Sequence, residues 1–562
     1  MNVRQDTMIE PSLLQKEGFK HIDGGYYIKI KGYPIVNLSE TCCRDEYEAV
    51  IKGYKSGIEN IYSMLDGSFA VMIYDNRCNK ITILTDPYGL ESIYYFFSPK
   101  EDFVFSYDLE NLLARCPSRE IDMDGLAEYL RFLDISAPRT IFKNVRRLES
   151  GSILTYSISD NKLVITHIHK ENNFSSHLSK KDYLYEFEKL LFESIEKRIA
   201  ASDRIGIMLS GGIDSSLLAA ILNQLRMKKS LNLSAYTVGF DDARLDESKV
   251  ARRIAGYWGI AHHVLKFQQD DEMTIFYEFI NHLGNPFADP AVIPTMLTLK
   301  RMVDDGIDVV VEGTGADGTI GYMPSNYHRL VFNYTAKIPY PVRKLLTFCL
   351  KMVKDPLDIT PLFDFKGPQE KFIRWKGWTG REIEQLCGIR CSFEDTAFYK
   401  TYSKYKKREV YELYRQLMIS MPDDRILESL KYYKMRPIFP FFDGHLREYI
   451  ESLPFSLKYQ NGTGKVLYKE LLGKYLPKDL WNVPKHGFDY PFEKLLRYDN
   501  FKLLRTYLSK AAISECALFG FSVVEGYLQR FMNGDDSVKF KIWALVIFLA
   551  WYHERHQKTN NP

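Results

Sequence analysis

Two hydrophobic rhythms divide the chain. Up to about residue 165 apolar positions alternate, or run in short blocks bounded by turn residues. The stretch GGYYIKIKGYPIVNL (24–38) alternates behind a glycine pair. GSFAVMIYDNRCNKITILTD (67–86) is two β-rich runs joined by a polar Asp-Asn-Arg turn, and GSILTYSISDNKLVITHIH (151–169) repeats that hairpin signature. From about residue 180 the period lengthens. YLYEFEKLLFESIEKRIA (183–200) places apolar residues at i, i+3, i+4 and i+7, which predicts a helix. The short apolar runs RIGIML (204–209), LSAYTVGF (233–240) and GIDVVVEG (306–313) then alternate with helical stretches such as DESKVARRIAGYWG (246–259). That order predicts a parallel sheet covered by helices on both faces. Beyond about 325 the pattern is mostly helical, with a polar tail, HERHQKTNNP, expected to fray. The fold class is therefore α/β: an N-terminal β-sandwich of stacked sheets, then a parallel α/β domain with a helical C-terminal part.

Composition narrows this only modestly. A chain of 562 residues, 45% hydrophobic, is too long for one core. A net charge of +3 offers no basic field for nucleic acid. The 14% aromatic content reads as core filling. The cysteines, Cys42, Cys43, Cys78, Cys116, Cys349, Cys387, Cys391 and Cys516, form no C-x-x-C pair, which argues against structural zinc. With no signal-peptide pattern and no apolar run near about 18 residues, a cytoplasmic protein with reduced thiols and no membrane partner is expected.

The chemistry concentrates at IGIMLSGGIDSSLLAAI (205–221). A strand ends at Leu209. Gly211 and Gly212 permit close backbone approach, and the next helix aims its first amides at the loop. Ser210, Ser215 and Ser216 add hydroxyls. The result is an anion cradle without the lysine of a P-loop. Asp214 would repel a bare phosphate, so it calls for a bridging cation, most plausibly Mg²⁺.

Ser210 to Ser216 match the S-G-G-x-D-S loop of the ATP pyrophosphatases, of the adenine nucleotide alpha hydrolase-like fold. Further segments resemble the asparagine synthetase superfamily: YTVGFDDARLDESKVARRIAGYWGIAHHVL (236–265), NPFADPAVIPTMLTLKRMVDDGIDVVVEGTGADGTIGY (285–322), PIFPFFDGHLREYIESLP (437–454) and YKELLGKYLPKDLWNVPKHGFDYP (468–491). MLDGSFAVMIYD and TDPYGLESIYYF look like the glutamine amidotransferase domain of that family, an Ntn-hydrolase type sandwich. The resemblance implies an amidotransferase-like domain over 1–170 and an asparagine synthase-like domain over 180–555. It implies ATP and Mg²⁺ as cofactors. It implies that Leu209 and Val238 flank adenine, and that Ser210, Gly211, Gly212, Asp214, Ser215 and Ser216 hold pyrophosphate and Mg²⁺. Gly313 would lie against the nucleotide, Asp317 would be the second metal carboxylate, and Lys485 would stabilise developing phosphate charge. Asp214, Asp317 and Lys485 are thus the expected catalytic set.

The departures from the family shape the functional expectation. The family's glutaminase cysteine follows the initiator Met, whereas this chain reads Met1-Asn2-Val3 and has no cysteine before Cys42. A degenerate, non-glutaminase domain is expected. The loop S-G-E-G-x-D-E is here Glu312-Gly313-Thr314-Gly315-Ala316-Asp317-Gly318, so both motif glutamates are replaced, by Thr314 and Gly318. Threonine cannot act as the base that deprotonates ammonia. Arg436, Ile438 and Val483 also stand where the family pattern differs. The expected function is an ATP- and Mg²⁺-dependent amide-forming ligase. It would adenylate a carboxylate-bearing small molecule or peptide and pass it to an amine acceptor. Lasso peptide macrolactam formation and β-lactam closure are the roles in view, with a partner enzyme of a biosynthetic cluster. The alternatives are an asparagine synthetase using free ammonia and a non-catalytic nucleotide-binding scaffold.

Overall fold

The alternating N-terminal segments pair into two antiparallel sheets. The computed structural model describes residues 2–3, 9–22, 24–37, 43–98, 103–168, 179–199, 204–320, 326–353, 359–365, 377–397, 399–400, 424–460, 462–482 and 490–560. The larger sheet orders its strands Lys162–His167, Ser152–Ser157, Lys80–Thr85, Leu65–Asp75, Tyr26–Val36 and Lys20–Ile22. Both expected hairpins are present, with Asp75 opposite Lys80 and Ser157 opposite Lys162. The smaller sheet runs Asn2–Val3, Phe103–Ser106, Tyr94–Phe96 and Val145–Arg147.

The two-residue period decides which face each side chain covers. Met72 and Tyr74 point toward Phe103 and Phe105 of the smaller sheet, where the Phe103 and Tyr156 rings lie 4.6 Å apart. Val71 and Ile73, one residue out of phase, pack on Ala49 and Val50 of the helix Glu46–Ser56. Leu65–Asp75 is thus buried on both faces, which is why it reads as a continuous apolar run. The far face of the smaller sheet meets the helices Leu109–Leu113 and Met123–Phe132 through Leu112, Leu126 and Leu130. The layers are helix, sheet, sheet, helix.

The second half holds a parallel sheet in the order Ala261–Leu265, Asn232–Val238, Arg204–Met208, Val309–Val311 and Arg436–Ile438. All four neighbouring pairs are parallel. The central strand Arg204–Met208 lies between the strand that follows it and one about a hundred residues on. Chain direction across the sheet reverses there, and the loops leaving this point open a crevice at the strands' C-terminal ends. The edge strand Arg436–Ile438 is not announced by an apolar run. It carries Pro437, which an edge tolerates because one side needs no ladder donor. In the C-terminal tail one helix runs Lys539–Asn560.

The halves share apolar and ionic contacts. Trp543, Leu545 and Phe548 of the last helix join the same buried cluster as Leu126 and Leu130, and the Tyr129 hydroxyl donates to the Ala544 carbonyl at 2.8 Å. Asp66 and Asp443 are both held by Lys197 and Arg198. Burial alone would raise the Asp66 carboxyl, but Arg198 and Lys197 hold it well below the usual carboxylate range. Arg147 forks onto Asp424 at 2.8 and 3.0 Å.

Candidate active site

The serine–glycine corner is tied by its own hydroxyls. Ser210 Oγ accepts from the Gly212 amide at 3.2 Å and lies 3.1 Å from Ser215 Oγ, which in turn donates to the Gly212 carbonyl at 3.2 Å. Gly211 has φ +78°, and a Cβ there would come within 2.9 Å of Val250 Cγ1. Conformation and space both demand glycine. The helix Ile213–Lys229 begins at Gly212 without any side-chain cap, so its first amides face the loop unclaimed by a capping side chain. Ser216 Oγ and Asp214 Oδ1 are buried with no hydrogen-bond partner among the described residues.

A second loop leaves the neighbouring strand at the same level, because Ile207 pairs with Val311. The Glu312 carboxylate accepts from the Thr314 amide at 2.6 Å, and the Glu312 amide donates to the Ile438 carbonyl at 3.1 Å. One Glu312 oxygen therefore shapes its own loop. The short helix Ala316–Ile320 then presents Asp317. A Cβ on Gly313 would rest 3.5 Å from the Asp214 Cβ, so the two loops lie side by side.

Between the two carboxylates stands a lysine that sequence reasoning did not single out. Lys465 Nζ pairs with Asp214 and lies 2.5 Å from Asp317 Oδ1. Its backbone is left-handed (φ 59°, ψ 40°) at the start of the helix Val466–Tyr475, just after the small hairpin of Tyr459–Gln460 with Thr463–Gly464. Burial pulls the Lys465 ammonium down, but Asp214 and Asp317 outweigh it and hold the group above its ordinary value. The only sequence signal was the Asn-Gly-Thr-Gly turn before it, 461–464. Lys485 and Val483 lie outside the described residues.

On the crevice's other side, Leu209 and Val238 sit at the ends of adjacent strands. Leu209 is buried and Val238 half-buried. The Leu209 amide donates to the Tyr236 carbonyl at 2.9 Å. Its carbonyl accepts from the Thr237 hydroxyl, which also lies 2.8 Å from His262 Nε2. The structure therefore assembles Ser210, Gly211, Gly212, Asp214, Ser215, Ser216, Gly313 and Asp317 around one point, with Leu209 and Val238 at the neighbouring strand ends.

The family model for asparagine synthase matches residues 186–553. The chain belongs to the asparagine synthase family. Membership places it among ATP-dependent amide-forming ligases. A glutamine amidotransferase domain model matches residues 39–167. The chain is similar to asparagine synthetase [glutamine-hydrolyzing] 1 of Bacillus subtilis (strain 168), 23% identical over 97% of this chain and 86% of that protein. It is similar to a putative asparagine synthetase [glutamine-hydrolyzing] of Mycobacterium bovis, 23% identical over 90% of this chain and 79% of that protein. It also resembles amidase chyE of Penicillium rubens, 27% identical over 48% of this chain and 42% of that protein. Among the described residues no helix is long and apolar enough to cross a membrane, and no disulfide joins the described cysteines.

Within this asparagine synthase-family chain, several motif departures face the second loop. Thr314 is buried, and Ile438 is 1% exposed in the apolar cluster beneath the sheet. An aliphatic side chain there offers no polar contact to an acceptor. Gly315 has φ +93°, and its Cβ position is only 3.1 Å from the Phe442 ring. Phe442 packs against Tyr88 of the N-terminal half, ring centroids 5.3 Å apart, and the Arg447 guanidinium lies 4.6 Å above the Tyr88 ring. The N-terminal half thus backs the loop that carries Asp317.

Proposed function

We propose that this chain activates a carboxylate as its acyl adenylate and transfers the acyl group to an amine. The substrate carboxylate oxygen bonds to the α-phosphorus of ATP as the bridge to the β-phosphate breaks, releasing pyrophosphate. The amine nitrogen then bonds to the acyl carbon as the acyl–phosphate bond breaks, releasing AMP and a proton. The observation that carries this reading is the convergence of Asp214, Asp317 and Lys465 on one point beside the serine–glycine corner.

Mg²⁺ fits that point. Two carboxylates meet there on a positive group, and Asp214 Oδ1 and Ser216 Oγ are left without hydrogen-bond partners among the described residues. This donor set suits a hydrated ion completed by phosphate oxygens. Asp214 and Asp317 would hold it. Bound there, Mg²⁺ would neutralise phosphate charge during cleavage. Ser210, Gly211, Gly212, Ser215 and Ser216 would grip the pyrophosphate, Leu209 and Val238 would flank the adenine, and Gly313 would lie against the nucleotide. The Lys465 ammonium, which bridges the two carboxylates in this structure, would supply positive charge toward the bound phosphates once ion and nucleotide are in place. Lys485 is assigned the same electrostatic task.

Residues 1–170 are read as a degenerate amidotransferase domain of Ntn-hydrolase type. Its support of Phe442 through Tyr88 gives it a structural task. The acceptor is proposed to be a substrate-borne amine in biosynthetic tailoring, such as lasso peptide macrolactam or β-lactam closure. Thr314, Gly318 and Ile438 support this reading, because a tethered amine needs less help from a base. A cytoplasmic setting suits the described cysteines, none of which forms a disulfide. The similarity to asparagine synthetases over most of the chain favours a second reading, ammonia-fed asparagine formation. Pyrophosphate release measured across a panel of amino-bearing carboxylates, with aspartate plus ammonia included, separates the two. ATP binding with no release from any carboxylate would leave only a nucleotide-binding scaffold.

A further inference from the structure

Past the Asp317 helix the chain changes character. Residues 318–354 contain no Asp or Glu, but carry Arg329, Lys337, Arg343, Lys344, Lys351 and Lys354. Within this stretch the helix Tyr340–Met352 is turned inside out relative to an ordinary surface helix. Its apolar residues face outward: Leu345 is 62% exposed, Phe348 61% and Met352 72%, with Val342 and Val353 also exposed. Val342, Leu345, Cys349 and Met352 follow the i, i+3, i+7, i+10 spacing of one helical stripe. The opposite side faces the protein through Arg343 and Thr347, both buried.

This orientation is fixed. The Arg343 guanidinium donates to the carbonyls of Ile338 at 3.0 Å and Phe365 at 2.9 Å, and lies 3.8 Å above the Phe365 ring. Rotating the helix to hide Leu345 and Phe348 would pull a buried cation out of this socket. An exposed apolar face on an anchored helix marks an interaction surface.

We propose that the outward face of the helix Tyr340–Met352 docks on an anionic lipid bilayer. The partner follows from the charge arrangement. An apolar stripe with exposed Lys344 on the same helix, in a stretch rich in Lys and Arg and free of Asp and Glu, matches the interfacial region of a bilayer, where acyl chains take up the stripe and negative headgroups meet the cations. A second copy of the same face would bring Lys344, exposed on this helix, toward its own equivalent with no acidic residue in 318–354 to offset it, which repels. Attachment is peripheral, and it departs from the expectation of no membrane partner drawn from hydropathy alone, which registers spanning segments rather than an exposed stripe. The proposal is independent of the ligase reading.

Co-sedimentation of the full chain with vesicles tests it. The chain is expected to sediment with mixed phosphatidylglycerol–phosphatidylcholine vesicles at least about tenfold more tightly than with pure phosphatidylcholine, and added salt is expected to weaken the association. The double variant L345E/F348E should bind anionic vesicles at least about tenfold more weakly while melting at the wild-type temperature, because both positions are exposed. Lys344→Glu should weaken binding to anionic vesicles selectively. Met227→Glu, at a 75% exposed position on the helix Ile213–Lys229, should change nothing. A chain that stays in the supernatant with both vesicle types overturns the proposal. So does an L345E/F348E variant that sediments like wild type, or a wild-type dimer in light scattering that this variant abolishes, since that would assign the face to a second copy.

Discussion

Two loops leave adjacent parallel strands at the same height, and each contributes one carboxylate. The first, at 209–215, closes on itself: its serines bond to its own backbone, and Gly211 is pressed against Val250. The second, at 312–318, has bonds of its own, the Thr314 amide to the Glu312 carboxylate and the Ala316 amide to the Gly313 carbonyl, but leans more on its surroundings, on the Ile438 carbonyl below it and on Phe442 against Gly315. The self-contained loop keeps the family pattern throughout. The externally supported loop keeps Asp317 but not the motif glutamates. A loop whose shape depends on its own atoms tolerates little change. One whose shape is set by neighbours can exchange side chains while holding its one essential carboxylate in place. On the proposed function, the first serves the phosphates common to every acyl adenylation, and the second also faces the acceptor, which differs between enzymes.

The strongest way to break this contrast is to mutate the shared point. Asp214→Asn or Lys465→Ala should lower the rate of pyrophosphate release at least about 100-fold. Thr314→Ser should stay within about threefold, under about 1 kcal/mol. A loss from Thr314→Ser as large as that from Asp214→Asn would remove the distinction. Glycine replacements come next. Gly211→Ala meets both a left-handed backbone and Val250, and should cost about 2–4 kcal/mol in denaturant titration. Gly313→Ala meets only an ordinary contact and should cost under about 1 kcal/mol.

The smallest expected effect is on pH dependence, and it bears on the support of the second loop. Leu90 packs in the cluster that contains Phe442. Beside it, burial and then Asp86 push the Glu91 carboxyl up to about 7, against the opposing pull of Lys31 and Lys431. The folded chain therefore holds a proton there that the unfolded chain releases at lower pH. The stabilisation is complete below the ordinary glutamate value and is lost as pH rises through about 7. Glu91→Gln should flatten that slope by on the order of 1–2 kcal/mol in thermal or urea unfolding compared across this range. An unchanged slope would show that Glu91 is already ionised in the folded chain.

The sequence made some parts of this arrangement legible and hid others. Alternation and continuous apolar runs exposed both hairpins and the central parallel strands, because burial on one or two faces is written directly into hydrophobicity. Ser210, Gly211 and Asp214 were readable because a short contiguous segment builds their loop. Arg436–Ile438 was not, since a three-residue edge strand containing proline has too few positions to show a period. Lys465 escaped for a different reason. It reaches Asp214 across 251 residues of chain from a left-handed position at a hairpin exit, and nothing in its local pattern separates it from a surface lysine. The outward face of the helix Tyr340–Met352 has an ordinary amphipathic spacing. Only the buried position of Arg343 reveals which side meets the protein.

The cluster joining Leu126 and Leu130 to Trp543, Leu545 and Phe548 bears on how such a chain can evolve. On the proposed reading the first module has shed its original chemistry, and such a module is usually free to be trimmed from the gene. Here the helices of the first module supply part of the apolar interior in which the final helix is buried. Cutting the gene between the two modules would give one fragment with a stripped helical layer and another with a bare terminal helix. Neither fragment should remain soluble when expressed alone, and both should recover when produced together. Retention of the first module thus requires no surviving glutaminase. It follows from an interior that belongs to both modules at once.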